Sequence, residues 1–226
     1  RANSVVLGDI RALGNVSLEV NALVQGDIFL QGTISIAGNA AVSGSINSNL
    51  ESIPEIPVFP DLDMDFFLEQ AAQQEGHYFS NDDTPKTFTS EDLSAESGIY
   101  FCDGDMIIDS DAESYSGTIV IAAKGTITVS GDLAPEDTAS RLALISSGDI
   151  EISNGASITG VIIAGGSLVS NGDPGQINGI AAAGRISSFC GDFCYSPSVL
   201  SGLEEYLALE GTPAGLQIWR EQYDIY

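Results

Sequence analysis

The sequence has few basic residues, a single histidine and a single tryptophan. Seven Lys and Arg residues stand against 32 Asp and Glu residues, so the formal net charge of the 226-residue chain is −25 at pH 7. A surface of that sign repels phosphate groups, which argues against nucleic acid or an anionic membrane surface as a partner. No apolar run reaches the roughly 20 residues that a membrane-spanning helix needs. Because 43% of the residues are hydrophobic, the chain can still build a core.

Cysteine is also scarce, and three residues are too few for a disulfide framework. Cys190 and Cys194 lie in the segment FCGDFC, where Gly191 and Asp192 favour a turn. We predict a disulfide between Cys190 and Cys194 that closes this small loop, as an oxidising compartment would allow. Three reduced thiols, with Cys102 as the third, are the alternative and would suit any compartment.

Glycine recurs with a strict period near the N-terminus. It opens six of seven hexapeptide units that start at Gly8, which read GDIRAL, GNVSLE, VNALVQ, GDIFLQ, GTISIA, GNAAVS and the partial unit GSI. Apolar residues at the third and fifth positions indicate a short strand with one buried face, and the glycine provides a corner. The match is sharper every third unit, where Gly8-Asp9-Ile10 recurs as Gly26-Asp27-Ile28. This pattern predicts three-sided coils of three hexapeptide units each, stacked about 4.8 Å apart.

The same pattern returns after residue 98 in GTITVSG, GDIEISNG and GGSLVSNG. An insertion of about five residues at APEDTAS explains a spacing of 23 between Ile127 and Ile150. The sequence therefore predicts an all-β fold, a parallel β-solenoid that forms a single domain over 1–226. We expect two and a half N-terminal coils in 4–46 and four or five C-terminal coils in 99–195.

Residues 47–98 interrupt the period, and the tail follows the last coil. A proline-punctuated crossing segment, SIPEIPVFP, precedes DLDMDFFLEQAAQQEG, whose acidic start and terminal Gly76 predict a helix along a flank of the solenoid. The tail, 196–226, is predicted to hold a short helix at about 201–209 and an aromatic strand. This tail is the expected cap of the last coil, or it docks onto the next copy, through Trp219, Tyr223 and Tyr226.

The order of these segments resembles a known family. Hexads with a Gly-Asp start, a proline-rich crossing, the motif GHYF at 76–79, the motif YSPSVL and a terminal WRE resemble type IV pilus-associated, minor-pilin-like surface proteins. That family carries an N-terminal pilin-type anchor helix, which is missing here, as processing would explain. The hexads also resemble bactofilins, which polymerise end to end, and the inserted helix resembles that of a family of ice-binding β-solenoids. These resemblances imply a rigid rod without catalysis, and they favour a right-handed coil.

One acidic segment has the composition of a calcium site. CDGDMIIDSDAE spaces carboxylates so that several share one strand face, and oxygen ligands on adjacent strands can surround Ca²⁺. The candidate ligands are Asp103, Asp105, Asp109, Asp111 and Glu113. The alternative is a solvated acidic surface. No other cofactor is expected.

Catalytic machinery is not evident in the sequence. Hexapeptide-repeat acyltransferases use a histidine base, and the sole histidine, His77, lies outside the repeats. Polysaccharide lyases of this fold need a basic residue beside their acidic ligands, and the basic residues here stand apart at Lys86, Lys124, Arg141 and Arg185. We therefore predict that the protein is not an enzyme and has no catalytic residues.

Two sets of residues are candidates for binding through a side face. The strand-associated threonines do not recur at the coil period, although ice binding favours a regular threonine-like array; they are Thr118, Thr126, Thr128 and Thr159. Aromatic residues offer platforms for carbohydrate if exposed, and core residues if buried. They are Phe88, Tyr100, Tyr115, Phe189, Phe193 and Tyr195.

The predicted function is structural and adhesive. We expect a non-enzymatic extracellular or cell-surface rod that is displayed on, or assembled into, a surface filament or pilus. Its expected partners are a second copy in head-to-tail contact, pilin-like subunits or surface polysaccharide. Corner loops at 132–141, 171–176 and 188–197 would provide contact surface. The alternative is a ligand-binding solenoid that holds polysaccharide or ice on one flat side face.

Overall fold

The computed structural model describes residues 5–7, 9–52, 62–80, 84–153, 155–171, 175–188 and 191–207. The described residues up to 52 belong to one compact unit and those from 62 to 207 to a second. Both units are parallel β-solenoids, with about nine turns in all, so the predicted fold class is confirmed. The single domain over 1–226 and the right-handed coil stay predictions.

The described residues of the first unit form eight short strands in three parallel sheets. The sheets have the orders β1-β4-β7, β2-β5-β8 and β3-β6. Val5 pairs with Leu23, and Ile10 with Ile28, so each coil takes up three hexapeptide units, as the sequence predicts. The strands are β1 (Val5–Leu7), β2 (Ile10–Ala12), β3 (Val16–Leu18), β4 (Leu23–Gln25), β5 (Ile28–Leu30), β6 (Ile34–Ile36), β7 (Ala41–Val42) and β8 (Ile46–Asn47).

The second unit contains two α-helices, thirteen strands and a 3₁₀ helix in its described residues. The helices are α1 (Met64–Ala71), α2 (Ser90–Ala95) and the 3₁₀ helix Pro197–Leu200. The strands are β9 (Tyr78–Phe79), β10 (Lys86–Phe88), β11 (Gly98–Cys102), β12 (Met106–Ile108), β13 (Ser114–Tyr115), β14 (Thr118–Ala123), β15 (Ile127–Val129), β16 (Ala134–Pro135), β17 (Arg141–Ser146), β18 (Ile150–Ser153), β19 (Ser157–Asn171), β20 (Gly175–Ser188) and β21 (Gly191–Tyr195).

These strands stack into three faces, which we number by their order along each coil. The first face consists of β9, β11, β14, β17 and residues 161–164 of β19, and it continues into β20. The second face consists of β10, β12, β15, β18 and residues 168–171 of β19. The third face contains β13 and β16, the first residues of β19 and β20, and β21. Ile127 pairs with Ile150, which confirms the insertion predicted between their coils.

The core of the second unit is aliphatic, with a few aromatic side chains that reach across it. Tyr115 is 1% exposed, and its hydroxyl donates a 2.7 Å hydrogen bond to the backbone oxygen of Thr159. Burial raises the pKa of Tyr115 to about 12, so the hydroxyl keeps its proton at neutral pH. This bond connects two parts of the third face through the interior.

Replacing Tyr115 by phenylalanine should therefore destabilise the second unit modestly. The ring packing is kept, but the Thr159 oxygen loses its donor, and the free energy of unfolding should fall by about 1.5 kcal/mol. Chemical denaturation of the variant and the parent protein measures this difference. An unchanged midpoint would show that the hydrogen bond contributes nothing to stability.

The helix predicted over 61–76 is confirmed as α1, while the other helical predictions are only partly right. Asp63 caps α1, because its Oδ1 accepts a 3.1 Å hydrogen bond from the Phe66 N–H. Helix α2 was not expected, and its Thr89–Asp92 capping box marks its start. The helix predicted at about 201–209 is wrong over its described part, where residues 201–206 form turns after the 3₁₀ helix. Within the described residues, no helix is long and apolar enough to span a membrane.

Candidate functional site

The outer side of the first face is apolar and covered. Helix α1 packs against β11 and β14, and the 3₁₀ helix packs against β17, β19 and β20. Tyr78 of β9, which pairs with Phe101, is 40% exposed. The outward side chains nearer these helices are buried, although they point away from the core. They are Ile99, Phe101, Val120, Ala122, Ala143, Ile145, Val161, Ile163, Ile180 and Ala182. This arrangement confirms the predicted flanking helix and removes most of the first face from the available binding surface.

Arg141 binds the segment 196–207 to the first face through hydrogen bonds. Its Nε donates a 2.6 Å hydrogen bond to the Ser201 oxygen, and its NH1 donates to the oxygens of Thr138 and Ser140, each at 2.8 Å. Leu200, Leu203 and Leu207 are buried in the same segment. The described part of the predicted cap, 196–207, thus packs on the side of the solenoid.

The second face has no such cover in the described part of the chain, where the main packing partners of β12, β15 and β18 are strands. On these strands, buried inner residues flank one half-buried outward residue. The outward residues are in register from strand to strand and form what we call the middle row. The middle row is Thr87, Ile107, Thr128, Glu151 and Val169.

Small polar residues lie on either side of the middle row. Each strand has two inner residues, one on either side of its middle-row residue. We call the residue before the first inner residue a member of the corner row, and the residue after the second inner residue a member of the far row. The corner row is Asp105, Thr126, Asp149 and Ser167, and the far row is Asp109, Ser130 and Ser153. The three rows together make the second face a regular array of side chains, in which Glu151 is the longest.

Two carboxylates of the corner row accept hydrogen bonds from backbone N–H groups of the next coil. Asp105 Oδ1 accepts a 2.7 Å hydrogen bond from the Thr126 N–H, and Asp149 Oδ1 accepts a 2.6 Å bond from the Ser167 N–H. In the first unit, Asp9 Oδ1 accepts from the Asp27 N–H at 2.8 Å in the same way. Each carboxylate follows a glycine in the sequence and joins its own coil to the next. We call these contacts corner staples.

The corner staples explain why the next coil also needs glycine at its corner. A Cβ on Gly125 would collide with Asp105 Oδ1, and one on Gly166 would collide with Asp149 Oδ1. Gly148 stacks above a corner that carries Thr126 instead of an aspartate, and its Cβ would lie 3.1 Å from the nearest atom, the Gly125 oxygen. Among these three corners, glycine is thus required most where a carboxylate lies beneath it.

The structure does not gather the calcium candidates into one site. Asp105 forms a corner staple, and Asp109 Oδ1 accepts a 2.5 Å hydrogen bond from the Ser110 N–H. Asp111 and Glu113 are exposed. Among the described residues, no group of three or more His, Cys, Asp or Glu side chains is placed to hold one metal ion. Calcium binding stays a prediction, without a shared set of ligands to support it.

Asp103, the remaining candidate, has a separate ion pair. Its Oδ1 lies 2.8 Å from Lys124 Nζ, and its Oδ2 accepts a 2.6 Å hydrogen bond from the Tyr78 hydroxyl. The hydrogen bonds from Lys124 and Tyr78 lower the pKa of Asp103. This carboxylate is therefore already occupied by protein donors.

His77 is a packed structural residue. It is 2% exposed, its ring stacks on Tyr100 with centroids 4.0 Å apart, and its Nδ1 lies 3.1 Å from the Ile99 oxygen. Its Nε2 lies 3.8 Å from the exposed Glu96 carboxylate. This environment resembles a filled core position more than a general-base site.

The other side-face candidates are spread over all three faces. Thr126 and Thr128 lie on the second face, Thr118 on the first and Thr159 on the third. Phe88, Tyr100 and Tyr115 are buried and belong to the core, whereas Phe193 is 42% exposed. The side chain of Tyr195 and all of Phe189 lie outside the described residues.

Several predicted features concern parts of the chain that the structure does not describe. Cys194 is exposed, but Cys190 lies outside the described residues, so their disulfide stays a prediction. The same holds for Trp219, Tyr223 and Tyr226. Of the corner loops, 132–141 is fully described, and Asp137 Oδ1 orders it by accepting from the N–H groups of Ala139 and Ser140.

The middle row is not evident as a unit in the sequence. Of its members, only Thr128 is among the candidate threonines. A search for threonines at a constant coil period misses the row, because neither its residue type nor its spacing is constant. The insertion changes the spacing, and the row also contains Ile107, Glu151 and Val169. The signal that could have found it is the residue between two apolar positions after each corner glycine, as in MII, ITV and IEI.

Comparison with known proteins gives one likeness. No family model matches the chain, and no curated protein matches it. The crystal structure of an ice-binding protein from the Antarctic ascomycete Antarctomyces psychrotrophicus has a TM-score of 0.38 and 16% sequence identity to this chain. The match covers 84% of this chain and 93% of that one. None of the comparisons supports the resemblance to minor-pilin-like proteins or to bactofilins.

Proposed function

We propose that this protein is a non-enzymatic, extracellular ice-binding protein that contacts ice through its second face. The observation that carries the proposal is the middle row, which runs in register across five strands and which no described helix covers. Stacked parallel strands repeat about every 4.8 Å, so this row presents side chains at a fixed spacing. A crystalline surface is a ligand that a fixed, repetitive array can match over many contacts at once.

Rigidity supports the same proposal. Thr87, Ile107, Thr128 and Val169 are β-branched, and such side chains have few rotamers to lose on binding. Inner residues on both sides of the row are packed in the core, where Ile127 and Val129 are 0% exposed. A surface that is already ordered loses little conformational entropy when it meets another ordered surface.

The second face suits this role better than the other two. Most outward side chains of the first face are buried under α1 and the 3₁₀ helix. The third face contains the two-residue strands β13 and β16 and the 132–141 corner loop, which includes the insertion, so its surface is less regular. The second face keeps an unbroken register from β10 to β18.

Composition favours ice over polysaccharide as the ligand. Carbohydrate sites commonly use an exposed aromatic ring as a platform, and the three rows defined on the second face contain no aromatic residue. The chain has a net charge of −25, but Glu151 is the one ionisable residue of the middle row. A mostly uncharged row can approach ice without displacing tightly held water from many ions.

A bulky side chain in the middle row tests the proposal. Thr128→Tyr should hold the face away from ice, so the fraction of protein taken up by a slowly growing ice front should fall at least about tenfold, as losing flush contact implies. Thr159→Tyr makes the same change on the third face and should leave uptake unchanged. Both variants should keep the circular dichroism spectrum of the parent protein. Equal uptake by the parent protein and Thr128→Tyr would contradict the proposal.

A structural role is the second candidate, favoured by the last described coil of the second unit. Ile186 and Phe193 stack on Leu168 and Ile177 of the preceding coil, yet they are 65% and 42% exposed. An exposed end of this kind can pair with another chain, as head-to-tail assembly into a surface filament would require. Sedimentation at increasing protein concentration tests this candidate, since a monomer at every concentration would exclude self-assembly.

A further inference from the structure

We infer that Glu151 limits how tightly the second face binds ice, so that its replacement by a small uncharged residue strengthens binding. This inference rests on the proposed function, because it concerns the same face. The inference gives Glu151 the specific role of weakening ice binding, whereas the composition does not distinguish it from the others among the 32 acidic residues of the chain.

The position of Glu151 is central in the middle row. It pairs with Thr128 of β15 on one side and with Val169 of β19 on the other. The flanking residues of its own strand, Ile150 and Ile152, are 0% and 2% exposed, which fixes the backbone beneath it. Glu151 is half-buried, and its longer side chain stands between two short β-branched ones.

The charge of Glu151 has no partner in the described part of the protein. No hydrogen bond or ion pair between described residues involves its carboxylate, and Asp149, two residues earlier, places a second negative charge on the same face. Ice is neutral and offers no counter-charge. Flush contact would therefore take water from an unpaired carboxylate, which is unfavourable.

Other carboxylates on this face cannot be changed with the same result. Asp105 and Asp149 form corner staples with the N–H groups of Thr126 and Ser167, so replacing either one removes a contact between coils. Asp109 of the far row accepts a hydrogen bond from the Ser110 N–H, which its replacement would also remove. Glu151 has no such contact, and threonine and valine already occupy the neighbouring positions of its row. Threonine at 151 would continue the row and favour a strand.

The same residue distinguishes the two ligand classes. Sugar hydroxyl groups donate hydrogen bonds to carboxylates, so a polysaccharide bound on this face would gain from Glu151. Its replacement would then weaken binding. A rise in ice uptake and a fall in polysaccharide binding are opposite outcomes of one substitution.

The experiment compares Glu151→Thr and Glu151→Gln with the parent protein in uptake by a slowly growing ice front. Removing the charge should raise uptake at least about twofold in both variants, and more in Glu151→Thr, which also shortens the side chain. Glu113→Gln removes an exposed charge that lies next to the third face and should leave uptake unchanged. Thermal unfolding of each variant controls for altered stability.

The possible outcomes separate this inference from the proposed function. If Thr128→Tyr abolishes uptake but the Glu151 variants match or fall below the parent protein, the role of Glu151 is wrong and the face still binds ice. If ice takes up neither the parent protein nor any variant, the proposed function fails and the inference fails with it. If Glu113→Gln raises uptake as much as Glu151→Gln, net charge rather than position 151 is responsible, and the inference is again wrong.

Discussion

Replacing Gly125 by alanine is expected to lower the free energy of unfolding of the second unit by about 3 kcal/mol. The new methyl group would collide with the Asp105 carboxylate and with the backbone of Gly104, so either the corner staple breaks or the coils move apart. Both changes weaken the stack between β12 and β15. Chemical denaturation followed by circular dichroism measures the loss.

The same column of corners supplies the control. Gly148→Ala meets no carboxylate, and its nearest contact is backbone at 3.1 Å, so it should cost no more than about 1 kcal/mol. Adding Asp105→Ala to Gly125→Ala should recover part of the loss, because one of the colliding groups is removed. Equal destabilisation by Gly125→Ala and Gly148→Ala would show that the corner staples do not impose the glycine requirement.

Replacing Phe67 by alanine is expected to cost more, about 4 kcal/mol. Phe67 is 0% exposed on α1, the helix that packs against β11 and β14. The substitution leaves a cavity between the helix and the first face and weakens the cover over outward residues such as Phe101 and Val120. The variant should also bind more of a hydrophobic dye, because apolar surface becomes accessible.

Phe66 provides the matched comparison on the same helix. It is half-buried, and its ring meets that of Phe67 edge to face at 5.4 Å. Phe66→Ala should therefore cost clearly less than Phe67→Ala in the same denaturation experiment. The account of the covered face would be wrong if Phe67→Ala unfolded at the same denaturant concentration as the parent protein.

The solenoid coils could be predicted because their determinants are local. Glycine at a corner and apolar residues at alternate positions describe each short strand, and the repeat of three hexapeptide units places Ile28 over Ile10 without any knowledge of the remaining chain. Helix α1 was predictable for a similar reason, since Asp63 caps its start and apolar residues line one side.

The predictions that failed depended on tertiary packing. Residues 201–206 have helical composition, but Arg141 binds the Ser201 oxygen, and Leu203 is itself buried within the second unit. These contacts favour a run of turns over a regular helix. The brief helix α2 could have been found from its capping box, although it is too short to show a helical period.

The candidate site was only partly predictable, because aspartate can serve either as a metal ligand or as an acceptor of backbone hydrogen bonds. Alternate aspartates suggest metal ligands, yet Asp105 uses its carboxylate to bind the backbone of the next coil. Only the stacked coils reveal that partner, Thr126, which is distant in the chain. The recurring Gly-Asp pair was the available sign of this role. Likewise, no local pattern shows that, among the described residues, helices cover the first face and not the second.

The most direct test of the central claim is the growth of a single ice crystal in a supercooled solution of the parent protein. If the second face binds ice, the crystal should become faceted and stop growing over a temperature gap below its melting point. That gap should widen with protein concentration. A crystal that grows as a rounded disc as soon as it is cooled below its melting point, at every concentration, would contradict the claim.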